Sequence, residues 1–139
     1  MAAGEIVLDQ VRGDLIAEAW PFMQEYFRRS CTRVPTHLTP ELILYRATTR
    51  QCDLWAVYAS DAPLPLLAAA ATAQRGSLMT IEALGGREMK RWLRPALREF
   101  ERLAKANGIT EVEIEGRRAW QRLLPDYAPV RVAMRKKLK

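Results

Sequence analysis

Apolar positions alternate briefly in "EIVLDQV" and then fall into a helical period in "GDLIAEAWPFMQEYFRRS", at Leu15, Ile16, Ala19, Trp20, Met23 and Phe27. The first pattern predicts a short strand and the second an amphipathic helix. Asp14 is placed to cap that helix, and Pro21 marks a break or kink within it. "VPTHLTPELILYRATTR" carries a stronger start signal: Thr39 as cap, Pro40 at the first helical position, and Leu42, Ile43 and Ala47 facing inward.

The period then changes to two. "DLWAVYAS" alternates and is rich in aromatic and branched residues, "DAPLP" turns it, and "LLAAAATAQR" returns, which predicts a hairpin. After a second turn at Gly76, "GSLMTIEAL" makes a third strand. The clearest helix follows, with Met89, Trp92, Leu93, Ala96, Leu97, Phe100, Leu103 and Ala104 on one face. Asn107 and Gly108 end it, and Pro95 falls on the opposite, solvent side. In "ITEVEIEG" Val112 and Ile114 point one way and Glu111, Glu113 and Glu115 the other. "RRAWQRLLPDYA" predicts a short helix ended by Pro125, and "PVRVAMRKKL" a final strand.

The order β-α-α-β-β-β-α-β-α-β implies an α+β, three-layer α/β/α fold. Its central sheet is mixed and mostly antiparallel, with helices on both faces. The unit from Leu78 to Gly116 is the one expected parallel crossover. With 139 residues and no linker, repeat or low-complexity segment, residues 1–139 are expected to form a single domain.

Composition narrows the chemistry. Hydrophobic residues make up 49% and charged residues 27%, a globular balance, and no apolar run reaches the roughly 18 residues of a spanning helix. "MAAGEIVLDQ" carries no export signal, so a cytoplasmic location and reduced thiols at Cys31 and Cys52 are expected. One histidine, His37, and no Cys or His pair at ligand spacing leave no material for a metal site. A Ser-His-Asp or Cys-His hydrolase would have to use His37, which sits in a turn. The net charge of +6 permits attraction to nucleic acid. The basic residues of the long helix and "RKKLK" lack interleaved aromatics, however, and read first as a solvated face. The four tryptophans fall on apolar faces and read as core.

"LMTIEALGGREMKRWL" runs from a strand through two glycines into a basic helix. Successive backbone N–H groups, glycines that permit close approach and a helix N-terminus together suit a phosphate. The same Gly-Gly pair also suits a plain turn.

Placed in this order of elements, "EALGGREMKRWL" and "EIEGRRAWQRLLPDYAPVRVAMRKKL" resemble the GNAT family of N-acetyltransferases across nearly the whole chain. The short chain also resembles small GNAT-like proteins encoded by tailed phages, which would place it in a host cytoplasm or a virion. The resemblance implies acetyl-CoA as cofactor, bound by Ala83, Leu84, Gly85, Gly86, Arg87, Glu88, Lys90 and Arg91. Here the loop is contracted: the glycines are adjacent and the arginine follows them. The amides of Gly86, Arg87 and Glu88 would meet the pyrophosphate, with Lys90 or Arg91 as counter-charge.

The resemblance also implies a carboxylate base on the preceding strand. Glu82 lies there, with side-chain parity opposite to Ile81 and Ala83. The family's general-acid tyrosine position is taken by Leu123, and the nearest phenol is Tyr127, one turn later. The stripe Glu111, Glu113, Glu115 would face a basic acceptor or simply water.

Three functions follow. The first is an N-acyltransferase acting on a primary amine of a small molecule or protein, in a groove where the strand after Gly76 and the strand of Ile109–Gly116 splay apart. The second is a catalytically inactive GNAT-fold protein with a structural role, a protein partner or a homo-oligomer. The third is a small basic nucleic-acid binder.

Overall fold

The computed structural model describes residues 4–33, 37–115, 120–130, 134 and 136–138. Its elements are β1 (Ile6–Gln10), α1 (Ile16–Arg33), α2 (Pro40–Thr48), β2 (Asp53–Ala59), β3 (Ala68–Arg75), β4 (Leu78–Gly86), α3 (Met89–Ala106), β5 (Glu111–Ile114) and α4 (Trp120–Leu123). The five strands form one sheet in chain order. The first three pairings are antiparallel and β4–β5 is parallel, so the α+β architecture read from the pattern is the one observed.

The alanine run explains how the sheet is covered twice. Ala68 and Ala70 face a core with Trp92, Leu93, Ala96, Leu97 and Phe100 of α3, while Ala69 and Ala71 face a second core with Met23, Tyr26 and Phe27 of α1 and Ile43 of α2. Strand alternation sends successive methyl groups to opposite faces, and small side chains let a helix approach from either side. Trp55 packs edge-on to Phe100 at 5.1 Å and donates its indole N–H to Thr72 Oγ1 at 2.8 Å.

Helix starts follow local chemistry at α2, where Thr39 accepts from the Leu42 N–H at 3.1 Å and Pro40 opens the helix. At α1 the expected cap does not form. A 3-10 turn over Gly13–Leu15 precedes the helix, and the Asp14 carboxylate pairs with Arg12 at 2.7 Å instead. An exposed arginine two residues away offers a charge-assisted partner that competes with the helix amides. Leu15 is correspondingly 39% exposed. Pro21 lies inside α1, which continues unbroken across it; apolar anchors on both sides, Ile16 and Met23, hold the helix across one missing hydrogen bond. Pro95 sits on the exposed side of α3, as its spacing predicts.

The Gly85–Gly86 pair is not a turn. Both residues belong to β4, in register with Ala69 and Ala68. A Cβ at Gly85 would lie 2.5 Å from the Tyr26 carbonyl oxygen, and one at Gly86 would lie 2.2 Å from that of Leu67. These glycines exist because backbone from α1 and from the segment before β3 occupies the space a side chain needs. In the expected last strand over 129–138, residues 131–133 and 135 lie outside the described residues, and Pro129, Val130, Met134, Lys136, Lys137 and Leu138 are not in a strand. The short helix expected from Arg117 onward is described only from Trp120 to Leu123.

Because the clash at Gly86 is with backbone, Gly86→Ala should lower unfolding free energy by about 3 kcal/mol or more. Gly13→Ala, where a Cβ meets nothing within 4 Å, should change it by less than about 0.5 kcal/mol. Urea denaturation of both variants checks this; equal effects would remove the close-packing account.

Candidate functional site

The site begins with a miscount between two strands. Ala71 pairs with Ala83 and Thr72 with Ile81, so Glu82 is an extra residue on β4, a β-bulge. The bulge resets alternation. Ile81 faces the α3 core and Ala83 the α1 core, so the common parity expected of those two residues is corrected: an inserted residue breaks the two-residue period.

On its other edge β4 pairs with β5 from Leu78 to Ile81, and the Glu115 N–H adds one bond to the Ile81 carbonyl at 3.0 Å. Among the described residues, that is where the pairing stops. The next five residues, Glu82–Gly86, run on bonded only to β3. The described ladder therefore ends at the bulge; the continuation of the strand after Glu115 lies outside the described residues.

The open edge has a definite polarity. Arg87 donates its N–H to the Leu67 carbonyl at 2.9 Å, while the Leu67 N–H goes to Val57, so the Arg87 amide faces β3. Antiparallel alternation then turns the amides of Leu84 and Gly86 away from β3. The Arg87 amide, expected among the phosphate-binding groups, is thus already used.

Beyond it, Glu88 adopts a left-handed conformation (φ 55°, ψ 45°) and α3 begins at Met89. The amides of Glu88, Met89 and Lys90 have no partner within the helix. Arg87, Glu88 and Lys90 are exposed. Arg91 is directed elsewhere, with its Nη2 beside Gly4, against which Asp61 also lies.

Glu82 is 9% exposed, and both carboxylate oxygens accept from Arg46 near the end of α2, one of them at 3.0 Å. It is an ion-pair member with its acceptor positions filled. Arg46 was missed in the sequence, although its place between Ile43 and Ala47, both buried, puts it on the inward face of α2.

Tyr127 is also committed. Its hydroxyl donates to Glu101 on α3 at 2.7 Å, and burial together with that carboxylate raises its ionisation far above the ordinary range. The structure does not join Tyr127 to Glu82, since one is tied to α3 and the other to α2. Burial pushes the Cys52 thiol up to about 11, with Glu82 adding to the rise against Arg46, so it stays protonated at neutral pH. A mainly apolar cavity of about 590 Å³ between α1 and α2, bordered by Trp20, Leu44 and Tyr45, is lined by no strand residue and does not reach the end of the ladder.

One carboxylate at the end of the ladder is uncommitted. Glu115 is half-buried, and among the described residues its side chain makes no hydrogen bond or ion pair. Its pKa is raised, first by burial and then by the charge of Glu82, against the opposing pull of His37, Arg75 and Arg46.

The five-strand, mostly antiparallel sheet with helices on both faces is the fold of GNAT acetyltransferases, as comparison of folds shows. The aminoglycoside N-acetyltransferase AAC(6')-Iy in complex with CoA aligns over 98% of this chain and 97% of that one, at a TM-score of 0.64 and 9% identity. The aminoglycoside acetyltransferase meta-AAC0020 from an uncultured soil metagenomic sample, in complex with sisomicin, covers 96% and 97% at 0.64 and 9%. Ribosomal-protein-alanine N-acetyltransferase from Brucella melitensis biovar Abortus 2308 covers 97% and 99% at 0.58 and 7%. The sequence matches no family model and no curated protein. The likeness is one of fold.

Breaking the Arg46–Glu82 pair leaves a buried charge alone, so Arg46→Met should destabilise by about 3–5 kcal/mol. Adding Glu82→Leu should recover most of that loss, read by urea denaturation; a double variant as unstable as the single one would refute the pair's role. Glu115 carries the opposite sign. A carboxyl with a raised folded pKa contributes stability below its ordinary value near 4.5, and loses it as pH rises through the folded value. Glu115→Gln should therefore melt above wild type at pH 7.5 and level with it near pH 4, in paired thermal melts.

Proposed function

We propose that this chain is an acyl-CoA-dependent N-acyltransferase acting on an amine. The observation that carries the reading is the end of the β4–β5 ladder at the bulge, which among the described residues leaves five residues of strand edge leading to the start of α3.

The residues fit such a cofactor. About 16 Å of edge, at roughly 3.3 Å per residue, is available for an extended amide-bearing arm. The amides of Leu84 and Gly86 would bond that arm as a neighbouring strand would, beside Ala83 and Gly85. The amides of Glu88, Met89 and Lys90, with the side chains of Arg87 and Lys90, would hold the pyrophosphate. This amends the set expected from the sequence, since the Arg87 amide is spent and Arg91 points elsewhere. When bound, acetyl-CoA supplies the activated acyl group as a thioester.

The chain's contribution is positioning plus electrostatics. Holding the amine and the acyl group together removes most of the entropic cost of their encounter. An amide on the open edge near the bulge would accept the negative charge that develops on the acyl oxygen. Tyr127, bonded to Glu101, is not arranged to protonate a leaving group, so that proton would come from the amine or from water. Support also comes from the neighbours: one structure of this fold is in complex with CoA and another with the amine sisomicin.

A second reading is a catalytically silent protein of this fold that binds another protein. It is favoured by the filled positions at Gly85, Gly86 and Glu82.

Calorimetry separates the two. Acetyl-CoA should bind with Kd in the range of about 1 μM to 1 mM. The Arg87→Ala/Lys90→Ala variant should bind roughly tenfold more weakly with an unchanged melting temperature, because both side chains are exposed. No binding at millimolar acetyl-CoA would leave the second reading standing.

A further inference from the structure

Three of the groups near the end of the ladder that could handle a proton are committed. Glu82 has both oxygens on Arg46, Tyr127 donates to Glu101, and the Cys52 thiol is buried and protonated. Glu115 remains. Its own N–H makes the last bond that closes the parallel ladder, to Ile81, the residue before the bulge. It stands at the closed end of the open edge, the end farthest from the start of α3, where an arm anchored on α3 would place its reactive terminus.

Alternation along β5 puts its side chain on the face opposite Val112 and Ile114, which pack on the α3 core. That face carries Arg46 of α2 and Glu82 of β4, with Arg75 at the end of β3 and His37 before α2 also within electrostatic reach.

We infer that Glu115 is the general base of this site, the carboxylate that takes a proton from the ammonium group of the acceptor. The inference rests on the acyltransferase reading above. In the balanced reaction, R–NH₃⁺ gives one proton to the Glu115 carboxylate and becomes R–NH₂. The nitrogen lone pair forms the N–C bond to the acyl carbon, the C–S bond breaks, and its electron pair leaves on sulfur. The second amine proton ends on that sulfur, giving an amide and a thiol, and Glu115 returns its proton to water.

The environment suits the task. A carboxyl whose pKa is raised by burial and by Glu82 holds an abstracted proton more firmly than an exposed glutamate. The acceptor implied is a cationic primary amine. Arg46 on this face is already paired with Glu82, while Arg75 and His37, both exposed, act on Glu115 from farther along the surface.

The test uses the full chain, acetyl-CoA, and three primary amines: an aminoglycoside, a polyamine and a peptide with a free N-terminus. Acetyl-CoA binding is followed by calorimetry and turnover by thiol release across pH 5–10. Wild type should turn over at least one amine, with kcat/KM rising through an acidic limb. Glu115→Gln should bind acetyl-CoA as wild type does, lose about 10²–10⁴-fold in kcat, and lack that limb. It should recover activity toward high pH, where the amine arrives already deprotonated. A Glu115→Gln enzyme within threefold of wild type, with the same pH profile, would overturn the inference and leave the acyltransferase reading intact. Wild type that binds acetyl-CoA but turns over none of the three amines would overturn the inference as stated, since it commits to a cationic primary amine. Failure of wild type to bind acetyl-CoA would overturn both.

Discussion

One extra residue in β4 organises the rest of the molecule. In an unbulged strand Ile81 and Ala83, two residues apart, would point to the same face of the sheet; the bulge at Glu82 sends each into a different core, and the strand bends between them. The inserted residue is charged, and a buried carboxylate is tolerable only when its charge is met. Arg46 meets it from α2 with two hydrogen bonds. The bulge, the docking of α2 and the end of the β4–β5 ladder therefore meet at one residue. An arginine that reaches Glu82 fixes where α2 lies, and the described ladder with β5 ends at Ile81, the residue before the bulge.

Small residues make that arrangement compact. The sheet carries Ala68–Ala71 in β3 opposite Ala83, Gly85 and Gly86 in β4, and the helices on both sides are rich in large side chains such as Phe27, Trp92 and Phe100. Volume is thus contributed by the helices and accommodated by the strands. At Gly85 the approach becomes backbone to backbone, since the space beside its Cα is filled by the Tyr26 carbonyl. The same residue choice that reads as permissive for a ligand is, in the folded chain, permissive for α1.

The element order was legible because each element has its own period: two in Asp53–Ala59, 3.6 in Met89–Ala106, and recognisable stops at Gly76 and Asn107–Gly108. The cap at Thr39 was legible because capping is local. The bulge was not, because it exists only as a mismatch between two strands, and neither strand carries a mark of it. The partners of Glu82 and Tyr127 were hidden for the same reason: Arg46 is 36 residues away and Glu101 is 26. Alternation along β5 did separate Glu111, Glu113 and Glu115 from the core, but which of the three stands at the end of the ladder depends on register with β4. The glycine pair was misplaced by a general bias: Gly-Gly between a strand and a helix signals a turn in sequence, and only contact with a distant carbonyl makes it strand.

With the glycines filled by protein, the acyltransferase proposal would place recognition of the cofactor's phosphates at the start of α3, and there the chain already holds an anion. Glu88 sits at the cap position, where its carboxylate is favourable to the helix dipole, but it makes no hydrogen bond to the helix amides. Its nearest cation is Arg87, at 3.9 Å and in solvent. An incoming phosphate would compete with Glu88 for the same partial positive charge and would prevail only by displacing an exposed, weakly held side chain. The net gain from phosphate contacts is therefore smaller than at a bare helix terminus. On that proposal the edge of β4, with its Leu84 and Gly86 amides turned away from β3, would supply more of the affinity. Binding by this chain should depend more on an extended amide-bearing arm than on charge, the reverse of what its contracted glycine segment and basic helix suggest.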